Sequence, residues 1–264
     1  MAKRASRRRP PATQVKRARR KTAELPGDYW HITHRPLQCL LFLLPMIVAY
    51  EIGMILMHGR VPQDDWPTLA AKQMLNWFFS LFGATGYFLP GGALVAVLFA
   101  WHLASRNPWK VSVHALLGMA GESVLLAVPL LLLNQWLPVL RSLVNLRPAD
   151  VAGVGSRMDN LLLSVGAGLY EELVFRLIVI SLIMLVLKDI CRVREVWTVA
   201  IAVVASSLLF AAHHYHPIGA DPWSLAEFVF RTAAGAYLAA VFVIRGFGLA
   251  VGCHVIYDVL AFAI

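Results

Sequence analysis

Seven long apolar stretches, at about residues 37–57, 86–104, 113–137, 161–187, 196–215, 225–244 and 247–264, constrain this chain more than any other feature. Crossing the hydrocarbon core of a bilayer takes about 20 largely apolar residues, because that core is roughly 30 Å thick and a helix rises about 1.5 Å per residue. Within it every backbone N–H and C=O must be satisfied by the chain itself. The stretches are continuous rather than alternating, so the spacing predicts helices and not barrel strands. The expected fold is all-α, a polytopic transmembrane helix bundle of about seven spans. Six or eight are also consistent, because Leu69 to Phe82, with Trp77, Phe78 and Phe79, is too short to cross and suits the interface. Only 15% of the residues are charged and the mean hydropathy is +0.65, whereas soluble domains carry about one quarter charged residues.

The net charge of +9 first suggests a nucleic-acid partner, but its distribution argues otherwise. Residues 1–21 hold ten Lys or Arg and no acid, from Lys3 to Lys21, and the other 14 of the 24 bases are balanced by all 15 acids. That basic segment, with Pro10, Pro11 and almost no large apolar side chain, cannot bury enough surface to offset the entropy of ordering. It reads as a disordered cytoplasmic arm over residues 1–30 that touches anionic lipid, each base near the surface contributing about 1 kcal/mol. No aromatic residue is interleaved with the bases to stack on nucleotides, so no nucleic acid is expected. With the arm inside, the inner side holds 17 bases, ten in the arm and seven in the connections, Arg245 among them, and the outer side five, Arg60, Lys72, Arg141, Arg147 and Arg157. That bias follows the positive-inside rule and sets the N-terminus in the cytoplasm. The remainder divides into spans one to three, residues 31–157, and spans four to seven, residues 158–264. Cys39, Cys191 and Cys253 stand apart in apolar surroundings and read as packing residues.

An ionisable side chain at bilayer depth is costly and marks a candidate site. In the fourth stretch Glu172 and Arg176 stand four apart on one helix face, as ion-pair partners do. Glu171 is turned about 100° from them and has no partner within its own helix. Such a carboxylate suits a general base. At the end of the fifth stretch Phe210 and His214 share a face and His213 points elsewhere. In the last, His254 and Asp258 stand at i and i+4, and Gly248 and Gly252 form a small-xxx-small step that lets a neighbouring helix approach closely. Glu51, Glu122 and Arg231 are further polar residues within spans. Each fits either an ion path or one half of an interhelical pair.

The order Glu-Glu-x-x-x-Arg, Phe-x-x-x-His, His-x-x-x-Asp, one motif on each of three late spans, resembles the CAAX prenyl protease and bacteriocin-processing family of glutamic-type intramembrane endopeptidases. The resemblance covers roughly residues 160–264. It implies that Glu171 activates the attacking water together with His214, that Glu172 and Arg176 fix the fourth helix, and that Phe210 shapes the cavity wall. It further implies that His254, with Asp258, stabilises the oxyanion. Many members carry Asn where this chain has Asp258; an ionised Asp cannot donate to an oxyanion, so Asp258 is either protonated in low dielectric or orients His254 by accepting its ring proton. His213 leaves the register ambiguous by one residue, and His214 is preferred for its four-residue spacing from Phe210.

The resemblance implies an intramembrane peptidase with a peptide or membrane-protein substrate, no cofactor, and a place in the cytoplasmic membrane of a bacterium. The cleaved chain is a prenylated CaaX tail, a bacteriocin or signalling peptide, or another membrane protein. A zinc peptidase is the chemical alternative, because Glu171, His214 and His254 are ligand types that zinc accepts, although no HExxH helix is present. A non-catalytic immunity protein that binds peptides, or a transporter, is the alternative of another class. The charge topology also sets Glu171 and His214 in the outer half of the bilayer and His254 nearer the inner side, which only tilted helices would reconcile.

Overall fold

A computed structural model describes residues 29–62, 66–143 and 157–263. The expected arm therefore lies outside the described residues up to position 28. Tyr29 and Trp30, assigned to it above, instead open the first helix among the described residues, α1 (Tyr29–Thr33). Then follow α2 (Pro36–His58), α3 (Ala70–Ser80), α4 (Leu89–Ser105), α5 (Val113–Asn134) and α6 (Leu137–Leu143). Next comes α7 (Arg157–Glu172), which runs on without a break through wider π turns to Ile190, and after it α8 (Glu195–Ala212) and α9 (Leu225–Arg245). The last helix, α10 (Phe247–Asp258), is extended by a π turn over Val259–Ala263. No strand occurs among the described residues, so the chain is all-α as the continuous apolar stretches require. Each of the seven stretches is helical. Four helical segments, Pro36–His58, Val113–Ser142, Glu195–Ala212 and Leu225–Arg245, are long and apolar enough to cross a membrane, and Leu89–Ser105 and Phe247–Ala261 are shorter apolar helices.

Local chemistry sets the helix starts. Ser112 caps α5, its hydroxyl accepting from Ala115 N at 3.2 Å, and Ser224 caps α9 by accepting from Glu227 N at 3.4 Å. Between α9 and α10 stands Gly246 at φ +88°, a conformation that a side chain resists, and it lets the chain turn sharply from one helix into the next. A Cβ there would also meet His34 Nδ1 at 2.9 Å.

The core lies among α2, α4, α7 and α10, with Leu43, Met54, Leu94, Leu98, Leu169 and Phe247 almost fully enclosed. The outside is apolar as well: Leu56 is 78% exposed and Leu125 72%. Large apolar side chains facing outward all round a bundle suit hydrocarbon, not water. Gly168 packs α7 onto α10 so closely that a Cβ would stand 2.9 Å from Val255 N. Gly248 faces Met119 and Cys39, so the small-xxx-small step does admit neighbours, α5 and α2.

The three further polar residues of the spans, Glu51, Glu122 and Arg231, prove to be halves of pairs. Glu51 lies 3.5 Å from the ammonium of Lys72 and accepts from Tyr170 Oη at 2.5 Å. Glu122 takes Arg245 Nε at 2.5 Å and Nη2 at 2.7 Å, and also accepts from Tyr29 Oη at 2.7 Å. The Arg245 guanidinium stacks 3.5 Å over the Trp30 ring. Lys72 and Arg245, counted above as loop charges of the outer and inner sides, are thus buried at 1% and 4% exposure. A charge count along a chain cannot see a tertiary partner, so neither residue belongs in the tally. Arg231, the third, pairs with Asp221 across 2.6 Å.

Candidate functional site

The four late helical segments converge on one polar cluster. Glu171 and Glu172 sit at the end of the regular part of α7, where the close pass at Gly168 has just brought that helix against α10. Glu172 is fully buried and serves two partners. Its Oε1 accepts from His254 Nδ1 at 2.9 Å, and its Oε2 lies 3.2 Å from Arg176 Nε. Arg176, also fully buried, donates from Nη2 to Gly235 O at 3.2 Å and covers the Phe210 ring at 4.4 Å. The i, i+4 pairing holds even though Arg176 lies in the π-helical stretch Leu173–Ile180. In the same stretch the Phe175 carbonyl accepts from Ser206 Oγ of α8 at 2.8 Å, fixing the two helices to each other.

Glu171, 7% exposed, faces three imidazoles. His213 Nε2 stands 3.4 Å from its Oε1, and His254 Nε2 stands 3.8 Å from its Oε2. His214 joins them: the ligand atoms of Glu171, His213 and His214 all lie within 4.8 Å of one another. The helix-wheel reading turned His213 away. It fails because α8 ends at Ala212, and beyond that point both rings fold back onto one backbone oxygen. His213 and His214 each donate from Nδ1 to Phe210 O, at 2.5 and 2.9 Å. A carbonyl only accepts, so both rings carry their proton on Nδ1 and direct Nε2 toward the carboxylate.

His254 is held in the opposite sense. Glu172 takes its Nδ1–H, so its Nε2 is directed between Glu171 and Asp258, the latter with Oδ2 at 3.4 Å. The residue that orients His254 by accepting its ring proton is therefore Glu172, whereas Asp258 neighbours the other nitrogen. The depth conflict in the charge topology does not arise, because His254 stands midway along the short α10 and meets Glu171 directly.

A cavity of about 220 Å³ opens beside these groups. Glu171, His214, His254, Asp258 and Phe210 reach its wall, with Leu130, Phe230, Ala234 and Leu238 as an apolar side and Arg231 and Tyr257 as further polar groups. His213, Glu172 and Arg176 stand behind that wall. Chemically this is a buried carboxylate, free of any guanidinium of its own, among imidazole nitrogens and next to a space that water and a peptide can occupy. Arg231 belongs to this wall, and a single polar residue in a span is the one sequence signal it leaves.

Could the group hold a metal? A carboxylate with two imidazoles is a donor set that zinc uses in catalytic sites. The shared Phe210 carbonyl would orient both rings from behind, as outer-shell acceptors do in such centres. The three candidate ligands are Glu171, His213 and His214. His254 stands outside that group, unlike the set read from the sequence.

Residues 155–260 match a family model described as Rce1-like, Type II CAAX prenyl endopeptidase Rce1-like, a stretch that carries every residue of the cluster. No curated protein and no solved structure matches the chain.

Proposed function

We propose, for an integral membrane chain whose residues 155–260 match the Rce1-like endopeptidase family model, that the Glu171 cluster hydrolyses peptide bonds inside the membrane. The observation that carries this reading is the Glu171 carboxylate at a cavity wall, 3.4 Å from His213 Nε2 and 3.8 Å from His254 Nε2. The cavity beside these groups has room for the water that the reaction consumes.

Water held between Glu171 and His214 gives its proton to this pair as its oxygen attacks the substrate carbonyl carbon. The carbonyl oxygen becomes an oxyanion, and His254, donating from Nε2 when both its nitrogens are protonated, stabilises it. The stored proton then passes to the amide nitrogen, the C–N bond breaks, and an acid and an amine leave. Glu172 keeps His254 turned for that task, and Arg176 keeps Glu172 in place. His213 holds Glu171 from behind when both its ring nitrogens are protonated, because its Nδ1 proton is already given to Phe210 O. Under the same reading the seven apolar segments cross the bilayer seven times with the N-terminus in the cytoplasm, where the basic arm meets anionic lipid.

Zinc peptidase chemistry is a second reading, favoured by the grouping of Glu171, His213 and His214 ligand atoms within 4.8 Å. A bound zinc would supply Lewis-acid activation of water. The deciding experiment is cleavage of a panel of quenched peptides by the detergent-purified protein, beside Glu171→Ala and His214→Ala. Cleavage by the wild type alone supports the proposal, and equal cleavage by all three removes it. Activity that a chelator abolishes and zinc restores replaces the glutamic mechanism with the metal one.

A further inference from the structure

Arg231 is the one guanidinium on the cavity wall, and its hydrogen bonding is incomplete. It stands in the second turn of α9, beside Phe230 on the same wall. Nη2 donates to Asp221 Oδ2 at 2.6 Å, while Nη1 is buried and has no hydrogen-bond partner. Asp221 is 47% exposed and lies in the loop before α9, so it holds the guanidinium from one side. Arg176 offers the contrast. It too keeps unbonded nitrogens, but it is sealed behind the wall, ion-paired to Glu172 and spread over Phe210. Its position serves the protein's own helices, whereas Arg231, though paired to Asp221 and 5.2 Å from the centre of the Tyr215 ring, lines the cavity.

We infer that Arg231 anchors a carboxylate of the substrate and so selects peptides that bring one into the cavity; this rests on the peptidase reading of the same site. A buried donor left unbonded is unfavourable, and the group that answers a planar guanidinium best is a planar carboxylate. A dianionic phosphate fits worse, because Glu171 and Asp258 share the wall and repel it more strongly than a single charge. The cavity also places the carboxylate near the scissile bond, because Arg231 and Glu171 line the same space of about 220 Å³. The Leu130, Phe230, Ala234 and Leu238 side of the cavity takes apolar residues beside it. The carboxylate is thus the substrate's own C-terminus or an acidic side chain close to the scissile bond.

The test uses the purified full chain and one quenched peptide in three forms: a free C-terminal acid, a C-terminal amide, and that amide with an Asp introduced near the end. For the wild type the plain amide is expected to show a KM about 10- to 100-fold higher than the acid, the range of a charge-assisted hydrogen bond. In Arg231→Gln the two should coincide near the wild-type amide value, with kcat changed only a few-fold. Arg231→Lys should restore part of the preference as a point charge without the fork. If the Asp-bearing amide recovers the low KM in an Arg231-dependent way, the carboxylate comes from a side chain; if only the free acid has it, from the chain end. Arg231→Gln that weakens acid and amide equally, or neither, overturns the inference. Loss of fold is read by thermal melting, and Asp221 remains partly hydrated when its partner is removed. Peptide binding to Glu171→Gln gives a second readout that needs no turnover. Failure of the peptidase reading, with no wild-type cleavage, then remains distinct from failure of the Arg231 preference.

Discussion

Helix α7 carries two buried polar clusters on neighbouring residues, and they are built to opposite ends. Tyr170 belongs to the first: its hydroxyl donates to Glu51, which faces Lys72, and the Lys72 ammonium stands 3.4 Å from the Tyr87 ring centre and 4.6 Å from that of Tyr50. Every face of that cation meets a carboxylate or an aromatic ring, which attracts it. Glu171, the next residue and about 100° round the helix, belongs to the second. There the partners stand 3.4 and 3.8 Å away, and a cavity opens beside them. The first cluster is closed by its own groups and ties α3 to α2 and α7. The second has a cavity beside it that an incoming molecule can enter. Burial, charge and the spacing of the partners are common to both, so none of these distinguishes a working site from a structural one. The space next to the partners does.

If that distinction holds, substitutions in the open cluster should reduce rate and spare stability, and those in the closed cluster the reverse. The largest effect is expected for Glu171→Gln, which should cut peptide cleavage about a thousandfold or more with melting in detergent nearly unchanged. Next, Lys72→Met leaves Glu51 buried without its cation and should destabilise by about 3 kcal/mol, seen as an earlier unfolding transition. The pair Lys72→Met with Glu51→Gln should recover much of that loss. A Lys72→Met protein that melts normally yet cleaves nothing would break the comparison, since the closed cluster would then be acting on the chemistry.

Within the open cluster the two adjacent histidines sharpen the picture. His214 reaches the cavity and His213 does not, so His214→Gln should lower kcat about a hundredfold and His213→Gln about tenfold. The reverse order would transfer the base to His213. Smallest of all is Asp258→Asn. The amide oxygen can still face His254 Nε2 across the 3.4 Å gap, and kcat should stay within about threefold.

Much of this arrangement could be read along the chain wherever the helical period alone decides. Glu172 with Arg176 and His254 with Asp258 are spaced one turn apart inside apolar stretches, and those pairs meet as spaced. Reading failed where the period stops. Past Ala212 the chain leaves its helix, so the angular offset between His213 and His214 carried no information, and a shared backbone carbonyl decided their direction instead. Tertiary partners were equally hidden. Lys72 looked like a loop charge until Glu51, Tyr50 and Tyr87 closed round it, and Glu172 showed one partner in sequence but holds a second, His254, from a helix 82 positions away.

The grip of Arg245 on the first helix bears on how the protein is made. Its guanidinium, 212 positions beyond Thr33, lies within 3.4 Å of the Thr33 hydroxyl and stacks on Trp30. At about 5–20 residues per second, the ribosome needs roughly 10–40 s to reach Arg245 after Thr33. During that interval the opening helix and Glu122 await their cation. His254, translated later still, completes the Glu171 cluster only after the spans before it have been made, so a translation product that stops short of it lacks the assembled site.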